Sequence, residues 1–130
     1  GVQACYRGPR LYDTEEVKQT VVEVINWYKR YREILNSDII HLRKPDARDW
    51  DGIMHVNPEL NEKALAMFFN PTDSDITRTI EVPLYYAGLS QSVNVRREEG
   101  AAKRYTLSAD QKVTLEVTIP AKGFTWYVFQ

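Results

Sequence analysis

The chain has 130 residues, 43% hydrophobic and 27% charged, with 17 Lys and Arg against 18 Asp and Glu and a net charge of −1. That length matches one domain and excludes a complete catalytic barrel of roughly 250 residues, while the balanced charge supplies no bulk field for nucleic acid. No apolar run approaches the roughly 20 residues of a membrane-spanning helix, and the single cysteine, Cys5, closes no disulfide within the chain and leaves the compartment undetermined.

At the start of the chain there is no Met and no visible signal peptide; Gly1 reads as a residue left by removal of a tag, so the chain reads as an excised piece. The helical period lies in the first forty residues. Val17, Val21, Val24, Tyr28, Tyr31 and Leu35 recur at steps of four and three, and Val22, Ile25 and Ile34 broaden the stripe. This predicts an amphipathic helix from Thr14 to Asn36. Asp13 is the expected cap, with Glu16 three residues on as in a capping box and Tyr12 with Val17 as a hydrophobic staple. With nothing else helical in the sequence, the stripe must cover a sheet or a surface outside this chain. An uncovered stripe would favour self-association, relieved by Tyr31→Lys.

After Ser37 the period becomes two. Strands are predicted at Ile39 to Arg43, Ile53 to Val56, Ala64 to Phe69, Ile76 to Leu84, Ser92 to Arg97, Lys103 to Leu107, Val113 to Ile119 and Phe124 to Phe129. Between them stand turn-rich segments such as PDARDWDG, NPTDSD and PAKG. In VTLEVTI, Val113, Leu115, Val117 and Ile119 share one face against Thr114, Glu116 and Thr118 on the other, the mark of a half-solvated sheet. ALAMFF is apolar on both faces and reads as a central strand covered on both. The expected fold is mainly β: an antiparallel two-sheet sandwich of about eight strands preceded by one long N-terminal amphipathic helix.

The stretch RKPDARDWDG, Arg43 to Gly52, concentrates the polar chemistry. Asp46, Asp49, Asp51 and Gly52 suggest a calcium loop, but a count from Asp49 puts Leu60 where an EF-hand needs its closing Glu. Two of these aspartates could serve as an acid and base pair; the simpler reading is of turn carboxylates bonding local backbone. His41 and His55 flank the turn without a third ligand for zinc, and no nucleophile triad, P-loop or dinucleotide fingerprint is present. No metal or cofactor is expected. A sugar platform needs flat exposed rings beside polar groups: Trp50 with Asp49 and Asp51, and the adjacent Tyr85 and Tyr86, meet that requirement. The simpler reading is that Trp50 folds back as a lid on the core or on a neighbouring domain, since buried aromatics dominate core energetics, and Trp27 and Trp126 read as packing residues.

The run NWYKRYREILNSDIIHL resembles the junction in glycoside hydrolases of the α-galactosidase and α-glucosidase type, where the last helix of a (β/α)8 barrel enters a C-terminal β-sandwich. Tyr28, Lys29 and Arg32 match a Tyr-Lys pair and a following Arg on that helix, and Asp38 to Leu42 match the first strand. NPTDSDITRTIEVPLYYAGL is similar to the strands that follow, with its turn at Asn70 to Thr72. The resemblance implies that residues 1–37 are the remnant of a barrel loop, including Arg7 to Arg10 within Gln3 to Tyr12, and of the last barrel helix, and that residues 38–130 are the sandwich. It implies a non-catalytic accessory domain packed on an upstream catalytic barrel through Val17, Val21, Val24, Tyr28, Tyr31 and Leu35. The parent would be a secreted or periplasmic enzyme of carbohydrate metabolism whose catalytic aspartates lie upstream. The alternative from another class is a carbohydrate-binding module that holds an oligosaccharide on Trp50, Tyr85 or Tyr86.

Overall fold

The computed structural model describes residues 12–130. Cys5 and the segment read as a barrel-loop remnant, apart from Tyr12, lie outside the described residues. The helix α1 spans Glu15–Leu35. Its cap is Thr14 rather than Asp13: Thr14 has extended backbone, and its Oγ1 accepts from the Val17 N–H at 3.2 Å. Three residues beyond this cap stands Val17, so Glu16 closes no capping box. Glu15 and Glu16 still place negative charge against the positive end of the helix dipole.

The strands are β1 (Asp38–Arg43), β2 (Asp51–Val56), β3 (Ala64–Phe69), β4 (Ile76–Pro83), β5 (Ser92–Arg97), β6 (Ala102–Thr106), β7 (Lys112–Ile119) and β8 (Phe124–Phe129). Each predicted strand is present, its ends displaced by at most two residues. All pairings are antiparallel. Six strands form one sheet in the order β1-β2-β3-β8-β5-β6, and β4 pairs with β7 in a second sheet of two.

Alternation decides what each face does. Val113, Leu115, Val117 and Ile119 of β7 point inward with Ile80 and Val82 of β4, and meet Met54, Ala66, Phe68, Val95 and Phe129 of the larger sheet. β3 is buried on both faces: Ala64, Ala66 and Phe68 enter that core, whereas Leu65 joins Trp126 and Val128 on the outer face. There Tyr31, Ile34 and Leu35 of α1 cover them, each burial contributing roughly 1.5–3 kcal/mol. The sandwich is thus three layers deep only along β2, β3 and β8. A two-stranded sheet cannot span a six-stranded one, so the inner face stays open beside β5 and β6, where a cleft lies between β6 and the edge of β7.

Candidate functional site

The apolar stripe of α1 divides in two. Its C-terminal half is buried on this chain's own sheet: Tyr31 is 1% exposed and Leu35 is buried beside it, with Tyr28 half-covered. Trp27, Tyr31 and Trp126 cluster with ring centroids 5.0 to 5.8 Å apart, Trp126 edge-to-face with both of the others and Trp27 tilted against Tyr31. The N-terminal half is uncovered. Val17 is 45% and Val24 59% exposed, Val22 and Ile25 are also exposed, and Val21 is half-buried. Along this edge Val24, Trp27, Met67, Phe124 and Trp126 line an apolar groove of about 410 Å³. The Trp27 indole N–H is buried beside it without an acceptor among the described residues.

A polar clamp that the sequence pattern did not reveal fixes the covered half. Arg96 Nη1 donates to the Tyr31 hydroxyl at 3.1 Å, and that hydroxyl donates to Glu99 at 2.7 Å. Arg96 Nη2 pairs with Glu62 at 3.2 Å, and Glu62 also receives Arg30 at 2.9 Å. The Arg30 guanidinium lies 4.8 Å from the centre of the Tyr31 ring. Burial, and then the bond to Glu99, push the Tyr31 phenol above its ordinary range. The cluster joins α1, the β2–β3 loop and β5, whose members are far apart in sequence, and no local spacing marks it. Beside it Arg30, Glu33, Glu59 and Glu62 edge a hollow of about 490 Å³, in which both arginines near Glu62 are already paired.

The turn of Arg43 to Gly52 is organised by its own carboxylates. Asp46 Oδ1 accepts from the N–H groups of Arg48 and Asp49 at 2.9 and 3.1 Å, and Oδ2 pairs with Arg43 at 2.7 Å. The Arg43 bond and these two N–H groups hold the Asp46 carboxyl well below the usual carboxylate range. Asp49 accepts from the Trp50 N–H at 2.8 Å and pairs with Arg78 at 3.1 Å, which ties the turn to β4. The Trp50 N–H bond, and then Arg78, lower the Asp49 carboxyl. Trp50 itself is half-buried and meets Phe68 edge-on at 5.8 Å, with the Arg43 guanidinium 5.7 Å from its ring centre. Asp51 opens β2, half-buried, opposite Phe69. His55 and His41 are diagonal neighbours on one face of the β1–β2 ladder, His55 buried and His41 exposed. Among the described residues no three metal-binding side chains converge, and no helix is long and apolar enough to cross a membrane.

Tyr85 and Tyr86 occupy a 3₁₀ turn, Tyr85–Ala87, closed by Gly88 at φ 70°. They are 66% and 64% exposed, with rings edge-to-face at 5.2 Å. Gly88 adjoins Pro58, in the loop after β2, whereas Trp50 precedes β2. The fold therefore sets Trp50 and the tyrosine pair at opposite ends of the sandwich and does not join them in one platform. No protein-family profile and no curated protein sequence matches this chain.

Proposed function

We propose that this chain is a non-catalytic β-sandwich domain of a multidomain glycoside hydrolase, which packs on and stabilises an upstream catalytic barrel through the exposed half of α1. The observation that supports this reading is the division of the helix stripe. One half seals the domain's own sheet, while Val17, Val24 and Ile25 remain in solvent and continue into the apolar groove at Trp27 and Phe124. A contiguous apolar surface of that kind marks an interaction site, and the helix-to-strand run from Asn26 to Leu42 resembles a barrel-to-sandwich junction. An immunoblot of source cells with an antibody against this chain tests the proposal. A band several times larger than 15.1 kDa is expected; a band at that mass overturns it.

A second reading, a carbohydrate-binding module, is favoured by one observation, the exposed Tyr85 and Tyr86 pair. Calorimetric titration with gluco-, galacto- and xylo-oligosaccharides, repeated with Tyr86→Ala, tests it; heat lost in the variant would support this reading, and no heat with any sugar removes it.

A further inference from the structure

We propose that the cleft at the open side of the sandwich, lined by Arg97, Lys103, Tyr105, Glu116 and Tyr127, binds a small carboxylate-bearing ligand the size of one sugar-acid ring. The cleft exists because the second sheet stops at β7, which leaves Arg97 of β5 and Lys103 of β6 open to solvent above the nearly buried Val95 and Tyr127. Arg97 is the direct ladder partner of Tyr127, and Lys103 pairs with Val95, so Lys103 lies diagonal to Arg97 on the same face. Two cations held side by side repel one another unless an anion sits between them. Arg97 Nε donates to Thr125 and Nη2 to the Thr118 carbonyl, each at 3.2 Å, which spans the two sheets and leaves Nη1 free of protein partners among the described residues. Lys103 forms no ion pair among the described residues.

Tyr127 supplies an independent indication. It is only 6% exposed, lines the cleft, and its hydroxyl has no hydrogen-bond partner among the described residues. Burial raises its phenol above the ordinary range, so it remains a proton donor in neutral solution. The hydroxyl itself is reached by solvent through the cleft, so a ligand oxygen would take the place of water there. Arg97 and Lys103 face Glu116 in the lining, and the Glu98 carboxylate stands behind Arg97 on the shared Thr125 hydroxyl, so two cations meet two carboxylates; that balance disfavours a phosphate dianion and leaves a singly charged carboxylate to be held by local donors. The volume of about 210 Å³ lies below the roughly 300–1,000 Å³ typical of drug-sized ligands and suits one ring, with Val95, Leu115 and the half-buried Tyr105 as its apolar wall. The cleft opens on the face of the six-stranded sheet opposite α1, so this site and helix docking stand or fall separately.

The test is an amide-resolved NMR titration with glucuronate, alongside glucose, which has a ring without charge, acetate, which has charge without a ring, and inorganic phosphate. Saturable shifts confined to Arg97, Lys103, Tyr105 and Tyr127 are expected with glucuronate and not with glucose. Lys103→Gln, an exposed position where folding is not at stake, should weaken the affinity roughly tenfold, as loss of a charge-assisted hydrogen bond does. Tyr127→Phe should weaken it as well, and Glu116→Gln should tighten it. Absence of saturable shifts, equal response to glucose, indifference to Lys103→Gln, or phosphate binding as tight as glucuronate would overturn the proposal.

Discussion

Asn70 has almost no solvent contact, and both ends of its amide are used: Nδ2 donates to the carbonyls of Ser74, Ile119 and Pro120, and Oδ1 accepts from the Thr72 N–H and hydroxyl. Asn70→Ala removes the bridge between the loop after β3 and the turn after β7: three carbonyls lose the amide donor, although Ser74 keeps the Thr72 hydroxyl and Pro120 keeps the Gly123 N–H. A loss of roughly 1–3 kcal/mol follows from the missing bonds, read as an earlier midpoint in urea unfolding. Gly52 is constrained by space instead, since an added Cβ would stand 2.9 Å from the Met67 carbonyl oxygen of the neighbouring strand. Gly52→Ala must push β2 from β3, at a cost of roughly 1–3 kcal/mol typical of overpacking; an unchanged midpoint would refute this. His55 links stability to pH. Burial lowers its pKa, so the folded state keeps the imidazole neutral while the unfolded chain takes up a proton near pH 6.5. The unfolded state then binds more protons, and stability complete above about pH 6.5 falls as pH drops through that value. His55→Gln should flatten the thermal midpoint between pH 7 and 5, leaving only the later loss as the lowered Asp46 and Asp49 carboxyls protonate at lower pH.

At the scale of elements, α1 shows what local pattern can and cannot reveal. A period of 3.6 identifies the face that must be covered, but what covers it is a tertiary fact. The expectation that Tyr31→Lys would relieve self-association does not survive the structure, because Tyr31 is buried between Arg96, Trp27 and Trp126. That substitution would strand a cation in an aromatic cluster and unfold the covered half of the helix. Tyr31→Phe isolates the polar clamp: it retains the ring and leaves Arg96 and Glu99 without the shared hydroxyl, so a loss of roughly 1–2 kcal/mol is expected. A thermal midpoint equal to that of the unsubstituted chain would show that packing alone holds α1. The strands were readable because period two survives even where β3 is covered twice. The clamp and the cleft were not, because each gathers residues from distant strands, and pairing order leaves no trace in local spacing. The turn at Asp46 was legible as chemistry: a short run of aspartates bonds its own backbone, whereas the salt bridge from Asp49 to Arg78 needed the fold.

For the whole molecule, the two open surfaces have different origins and opposite chemistry. The cleft follows from unequal sheets and is charged; the helix edge follows from a stripe longer than the sheet beneath it and is apolar. A domain that places Val17, Val24 and Ile25 in water loses nothing intramolecular when they become polar, because none of them enters either core cluster. Val24→Asp should therefore leave the thermal midpoint of this chain within about 0.5 kcal/mol of unchanged, as surface substitutions do. Its effect on association should be large. In sedimentation velocity at rising concentration, the unsubstituted chain is expected to self-associate through this edge, and Val24→Asp to restore the monomer. A monomer at every concentration before substitution would mean that the exposed valines are too dispersed to drive contact in water, and would weaken the case that the same face seats a neighbouring domain. Association that persists after Val24→Asp would shift attention to β1 and β6, the edge strands of the larger sheet among the described residues, where open backbone groups offer a second route to contact.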